Sequence, residues 1–209
     1  NITLSKAIFH SENLPYFKFT LSQPVTIEWF RKTYPDKFKR LQNAVKQGSI
    51  KLEGGMYVEA DVKLPCGESF CRQRLYGQRY YKQWFNQTAE IEWLTDSFGY
   101  NNNIPQFATK SGAKYFYTIK ISGNHFVANA AFPFTHFRWR SPNGNELICY
   151  SNNSQFRPIT RWKMYAHTRR LVREGESLIC DYNSEDPRES PKLGKIWPEI
   201  FLTIGVGDG

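Results

Sequence analysis

The hydrophobic and polar positions of this chain change period several times. Lys18-Phe19-Thr20-Leu21-Ser22 alternates and is rich in aromatic and β-branched residues, which predicts a strand. Pro24 follows where a helix can begin, since the first turn needs no amide donor. Ile27, Phe30, Phe38, Leu41 and Val45 then recur at helical spacing, broken near Pro35 and stopped at Gly48. Ile50-Lys51-Leu52-Glu53 predicts the next strand, and Gly54-Gly55 ends it in a turn.

The alternation repeats downstream. Glu68 to Phe85 reads as a long amphipathic helix carrying Phe70, Leu75, Tyr80, Tyr81 and Trp84. Ile91-Glu92-Trp93-Leu94 reads as a strand with Asp96 at its C-terminal end, and Ile104 to Lys110 as a short helix closed by Gly112. Tyr115 to Lys120 is a further strand. Phe137-Arg138-Trp139 and Leu147-Ile148-Cys149-Tyr150 flank a hairpin turn at Pro142-Asn143-Gly144-Asn145. Arg161 to Val172 reads as helical, Arg173 to Pro198 as a polar stretch, and Phe201 to Val206 as a last strand. Strands alternating with helices imply an α/β fold with a parallel sheet, open or closed into a barrel, and ligands then gather at the C-terminal strand ends. The chain starts inside a helical-looking segment and stops at Gly205-Val206-Gly207-Asp208-Gly209, so it reads as part of a longer enzyme.

Composition narrows the picture a little. A length of 209 residues suits one domain. The 16 Phe, 12 Tyr and 6 Trp are many, serving either a core or a groove that stacks sugars or bases. Net charge is +9, yet the basic residues are spread out, without an RNA-binding aromatic signature or zinc-finger spacing. Four cysteines are too few for a disulfide framework, and Cys66 and Cys71 lack the usual zinc spacing. No signal peptide opens the chain and no apolar run reaches transmembrane length, so a cytoplasmic location without membrane or nucleic-acid partners is expected.

Four segments carry chemistry. In Trp93-Leu94-Thr95-Asp96-Ser97-Phe98-Gly99-Tyr100 a carboxylate projects from a strand end before a glycine turn, as a nucleophile, a metal ligand or a simple cap. In Gly54 to Asp61, Glu59 and Asp61 follow a strand in a glycine-led loop and either hold hydroxyl groups or stay solvated. Leu64 to Gln78 is a helix start with basic decoration, and Asp208 is again a carboxylate just past a strand.

These segments, in this order and covering nearly the whole chain, resemble glycoside hydrolase family 38, the class II α-mannosidases, in their microbial and cytosolic or vacuolar-like branch. The stretches that match are Phe17 to Pro24, Gly54 to Asp61, Leu64 to Gln78, Trp93 to Tyr100, Pro105-Gln106 through Ser111-Gly112, Phe137 to Trp139 and Gly205 to Gly209. The resemblance implies a distorted seven-stranded (β/α) barrel of the glycoside hydrolase/deacetylase type, incomplete in this chain. Residues 1–209 would then be part of the N-terminal catalytic domain, cut at both ends. It implies a retaining α-mannosidase acting on mannose-containing oligosaccharide, with Asp96 as nucleophile and zinc ligand and Asp208 as acid/base. Tyr57, Glu59, Asp61 and Lys120 fall among substrate-binding positions. The other zinc ligands of the family, a His-x-Asp pair and a distant His, have no counterpart in His10, His125, His136 or His167. Tyr57, Cys66 and Thr95 stand where the family usually has Trp, Ser and Pro. The alternatives are a deacetylase-like metal-dependent hydrolase on a related barrel, or a basic carbohydrate- or nucleic-acid-binding module without chemistry. A homo-oligomer of the full-length enzyme is left open.

Overall fold

A computed structural model describes residues 2–119 and 136–151, together with the strand backbones of Cys180–Asp181 and Lys192–Leu193. The helical opening is α1, Ile2–Asn13, which buries Leu4, Ala7 and Ile8. Strand β1, Phe19–Leu21, leads to α2, Pro24–Thr33, and α3, Pro35–Lys46. The break near Pro35 is real: a proline opens each helix, and Tyr34 between them takes a non-helical backbone. Strand β2 is Ile50–Leu52, and α4 runs over Gly67–Phe85. Strand β3, Ile91–Trp93, precedes α5, Ile104–Lys110, and β4, Tyr115–Thr118. The hairpin is β5, His136–Arg140, with β6, Glu146–Ser151. Two short strands, β7 (Cys180–Asp181) and β8 (Lys192–Leu193), pair antiparallel inside the polar stretch. The expected helix at Arg161–Val172 and strand at Phe201–Val206 lie outside the described residues.

The seven-stranded barrel is not what the strands make. Among the described residues they form a parallel pair β1-β2, a sheet in the order β3-β4-β6-β5, and the pair β7-β8. Within the sheet β3, β4 and β6 are parallel, and β5 runs antiparallel on the edge because a tight hairpin delivers it. Between β2 and β3 the ladder fails. Gly54, at φ +79°, turns the chain out of strand geometry, leaving a single backbone bond of 2.9 Å from Gly54 N to Ile91 O. The Ile91 N–H beside it donates to the Glu53 carboxylate instead, at 3.2 Å.

Two apolar clusters fill the helix–sheet interfaces. One gathers α1, α2 and α3 with β1 and β2 around Ile8, Ile27, Phe30, Leu41 and Ile50. The other packs Phe70, Ile104 and Ala108 on Leu94, Phe116, Leu147 and Cys149. Helix α4 reaches both, with Phe70 in the second and Tyr80 and Tyr81 in the first. Its stripe of Phe70, Arg74, Gly77 and Tyr81 faces inward at helical spacing. The opposite face of the sheet carries a row of paired rings. Trp93 stacks on Tyr117 at 4.2 Å, Tyr117 on Tyr150 at 5.8 Å, and His136 leans on Tyr150 at 4.7 Å. Among the described residues no helix is long and apolar enough to cross a membrane.

Helix α4 touches the Gly54–Gly55 turn so closely that a Cβ on Gly77 would stand 2.0 Å from Gly55 O. Alanine gains about 1 kcal/mol over glycine inside a helix. Overpacking costs about 1–3 kcal/mol, and more where backbone must move. Gly77→Ala is therefore expected to lower the melting temperature despite its better helix propensity; a raised melting temperature would remove this contact from the account.

Candidate active site

Two of the acids read from the sequence, Asp96 and Glu59, lie near enough for their charges to interact. Asp96 lies in the bend after β3, exposed, just past the last bonds of the β3–β4 ladder: Leu94 N to Tyr117 O at 3.0 Å and Ile119 N to Thr95 O at 3.4 Å. Glu59 sits in the loop after β2, half-buried. Burial pushes its carboxyl up to about 7, helped by the negative charges of Glu92 and Asp96, which both act on it.

The loop that carries Glu59 is tightly held although it is not regular structure. Gly55 N donates to Glu53 O at 2.9 Å, and Tyr57 N to Gln73 O at 2.9 Å. Val58 N donates to the Gln73 side-chain oxygen at 2.9 Å, and Glu59 N to that of Gln23 at 3.3 Å. Gln73 belongs to α4 and Gln23 precedes α2, so two elements fix the position of Glu59.

The other sequence-derived residues fall elsewhere or outside the described part. The Tyr57 ring meets Tyr80 edge-on at 6.1 Å and lines a groove of about 680 Å³ along α4 with Tyr76, Arg79 and Gln83. Neither Glu59 nor Asp96 is in the walls of that groove. Asp61 is exposed in a turn, where its side chain accepts from Lys63 N at 3.4 Å and its carbonyl from Leu64 N at 3.1 Å. Lys120 and Asp208 lie outside the described residues. Cys66, Cys71 and Cys149 are free thiols.

Among the described residues no group of three or more His, Cys, Asp or Glu side chains is placed to hold a metal ion. His10 is on α1, packed against Phe9 and Phe17, and His136 is on the edge strand β5, against Tyr150. The donors among the described residues do not make a zinc site by themselves.

Sequence reasoning passed over Arg74 and Glu92. Both are about 1% exposed, and they form an ion pair behind the Glu59 loop. Arg74 Nη1 donates to Glu92 Oε2 and to Gly54 O, and its Nε donates to Ser111 Oγ at 2.7 Å. Burial raises the proton affinity of Glu92, and Arg74 pulls it back. The signal was present in the pattern. Glu92 interrupts an otherwise apolar strand, and Arg74 occupies the buried stripe of α4.

A sequence model described as the glycosyl hydrolases family 38 N-terminal domain matches residues 1–186. The chain belongs to this family. Alpha-mannosidase G of Dictyostelium discoideum is 33% identical over 207 residues, covering 99% of this chain and 17% of that protein. Alpha-mannosidase 2C1 of Homo sapiens is 35% identical over 139 residues, covering 66% of this chain and 13% of that one. This chain thus spans less than a fifth of the length of either of these relatives. In shape it is similar to an alpha-mannosidase from Enterococcus faecalis V583, with a TM-score of 0.69, 18% identity, and 85% of this chain and 20% of that chain covered.

The raised Glu59 carboxyl has a consequence for stability. The folded protein holds this proton up to about pH 7, whereas the unfolded chain releases it near the ordinary value of 4.5. Between those two values the folded state binds more protons, so stability falls as pH rises, by at most about 1.4 kcal/mol per unit. Glu59→Gln lacks this loss. Relative to the parent, its melting temperature is expected to rise between pH 5 and pH 8; a constant difference across that range would show that Glu59 titrates normally.

Proposed function

We propose that residues 1–209 form part of the catalytic domain of a retaining α-mannosidase. In this reading it hydrolyses terminal α-linked mannose through a covalent glycosyl intermediate on Asp96. The observation that carries this reading is Asp96, just past the end of β3 and near enough to the half-buried Glu59 for their charges to interact, in a chain of glycosyl hydrolase family 38. Alpha-mannosidase is also the name of the relatives that share a third of its residues.

Retaining hydrolysis uses two carboxyl groups, one attacking the anomeric carbon and one passing a proton to the leaving oxygen and later taking one from water. Asp96 is exposed and stands at the strand end, where a bound sugar can reach it. Glu59 keeps its proton to about pH 7, so near neutrality it can donate a hydrogen bond to a sugar hydroxyl as well as accept one. Tyr57, Asp61 and Lys120 as further sugar contacts, and Asp208 as the acid/base, rest on the resemblance alone. So do a zinc ion that Asp96 helps to hold and a cytoplasmic location. When bound, zinc would grip hydroxyl groups of the sugar.

Asp96→Ala in the full-length enzyme is expected to lose nearly all turnover of an aryl α-mannoside, since alanine offers no atom to attack with. Asp96→Asn should stay nearly inactive as well, because an amide is a poor nucleophile, while keeping more bound zinc than alanine does. Turnover, bound zinc and thermal melting of both variants beside the parent decide the matter. A folded Asp96→Ala within about tenfold of parental turnover, a barrier change of about 1.4 kcal/mol, would remove Asp96 as nucleophile.

A further inference from the structure

The Arg74 guanidinium is a junction of three elements. Nη1 donates to Gly54 O, at the start of the loop that carries Glu59, and to Glu92 Oε2, in the strand that leads to Asp96. Nε donates to Ser111 Oγ, which in turn donates to Phe107 O at 2.9 Å at the end of α5. Gln78, one turn further along α4, reinforces the junction. Its Nε2 donates to Ala89 O at 2.9 Å, and its Oε1 accepts from Ala89 N at 2.9 Å, just ahead of β3. Gly55 is crowded by the same groups, since a Cβ there would stand 3.0 Å from Arg74 Nη1 and 3.1 Å from Gln78 Nε2, and its φ of +79° disfavours any other residue.

As a device for stability this arrangement is a poor choice. Taking both charges out of water costs several kcal/mol each, and well-packed apolar replacements of such pairs are often neutral or better. The pair is also incompletely satisfied. Among the described residues, Arg74 Nη2 and Glu92 Oε1 have no hydrogen-bond partner. What a forked donor supplies that an apolar contact does not is direction, because it fixes a carbonyl of the loop and a carboxylate of the strand to the same nitrogen. Both the loop and the strand lead, a few residues on, to the carboxyl groups of the site.

We propose that Arg74 and Glu92 are positioning residues that set the placement of Glu59 relative to Asp96. This rests on the mannosidase reading, in which those two carboxyl groups face the sugar. Neither Arg74 nor Glu92 touches substrate. They act by holding the loop against the strand, and a shift of about 1 Å at a reacting centre can cost about 100-fold in rate.

The test uses the full-length enzyme with an aryl α-mannoside. Arg74→Lys keeps the charge but loses the fork, and is expected to lower kcat about tenfold or more with KM within about threefold. Arg74→Met combined with Glu92→Leu removes both charges together, so that neither is left buried alone. This double variant is expected to melt close to the parent or above it, yet to keep the loss in kcat. Stability restored without activity is what a purely structural pair would not give. A double variant that is stable with kcat within about threefold of the parent would overturn the proposal, and so would a folded Arg74→Lys with parental kcat. Should the double variant not fold, Arg74→Lys decides by itself. Failure of the mannosidase reading looks different: the parent would then not turn over the substrate, or Asp96→Ala would retain turnover.

Discussion

Two opposite charges shut away from water, Arg74 on α4 and Glu92 on β3, are the constraint on which the arrangement of the site depends. Once the chain commits Arg74 to the inner stripe of a helix, its guanidinium must find acceptors, since leaving a buried charge unpaired costs about 3–5 kcal/mol. The acceptors it finds lie on three other segments: the Gly54 carbonyl, the Glu92 carboxylate and the Ser111 hydroxyl. The glycines follow from the same demand. Gly55 and Gly77 are the positions where helix and turn meet, and the sequence spends no side-chain atoms there.

The same junction explains why two apolar clusters work as one support. Helix α4 is the element that enters both, and Arg74 lies between its two ends. The first cluster holds β1 and β2 against three helices, and so fixes the origin of the loop to Glu59. The second holds the four-stranded sheet against α4 and α5, and so fixes the bend that presents Asp96. Glu59 is half-buried and feels the charges of Glu92 and Asp96, which accounts for its retained proton.

Much of this was legible in the residues. Proline at the start of α2, the break near Pro35, glycine after α3 and α5, and the Pro142–Asn145 turn marked boundaries that the structure keeps nearly to the residue. The placement of Asp96 just past a strand was legible, because the apolar run of β3 ends shortly before it. Closure of the strands was not legible. It depends on where each ladder stops, and Gly54 stops one by a change of backbone sign that no periodicity reports. The side of α4 to which the Tyr57 ring turns was also hidden, because the loop is set by the Gln73 and Gln23 side chains rather than by alternation. Arg74 and Glu92 were visible as charges at apolar positions, but only the pairing of α4 with β3 makes sense of them.

The loop from Gly54 to Glu59 has a dynamic consequence. Its amide groups at Gly54, Gly55, Tyr57, Val58 and Glu59 are all donated within the protein, though no ladder runs through them. Such amides open to solvent only when their acceptors release them, so this irregular segment should exchange its hydrogens as slowly as a strand. A loop already frozen before a ligand arrives gives up little conformational entropy when one binds. Whatever rests against Glu59 meets a surface that has completed its ordering during folding.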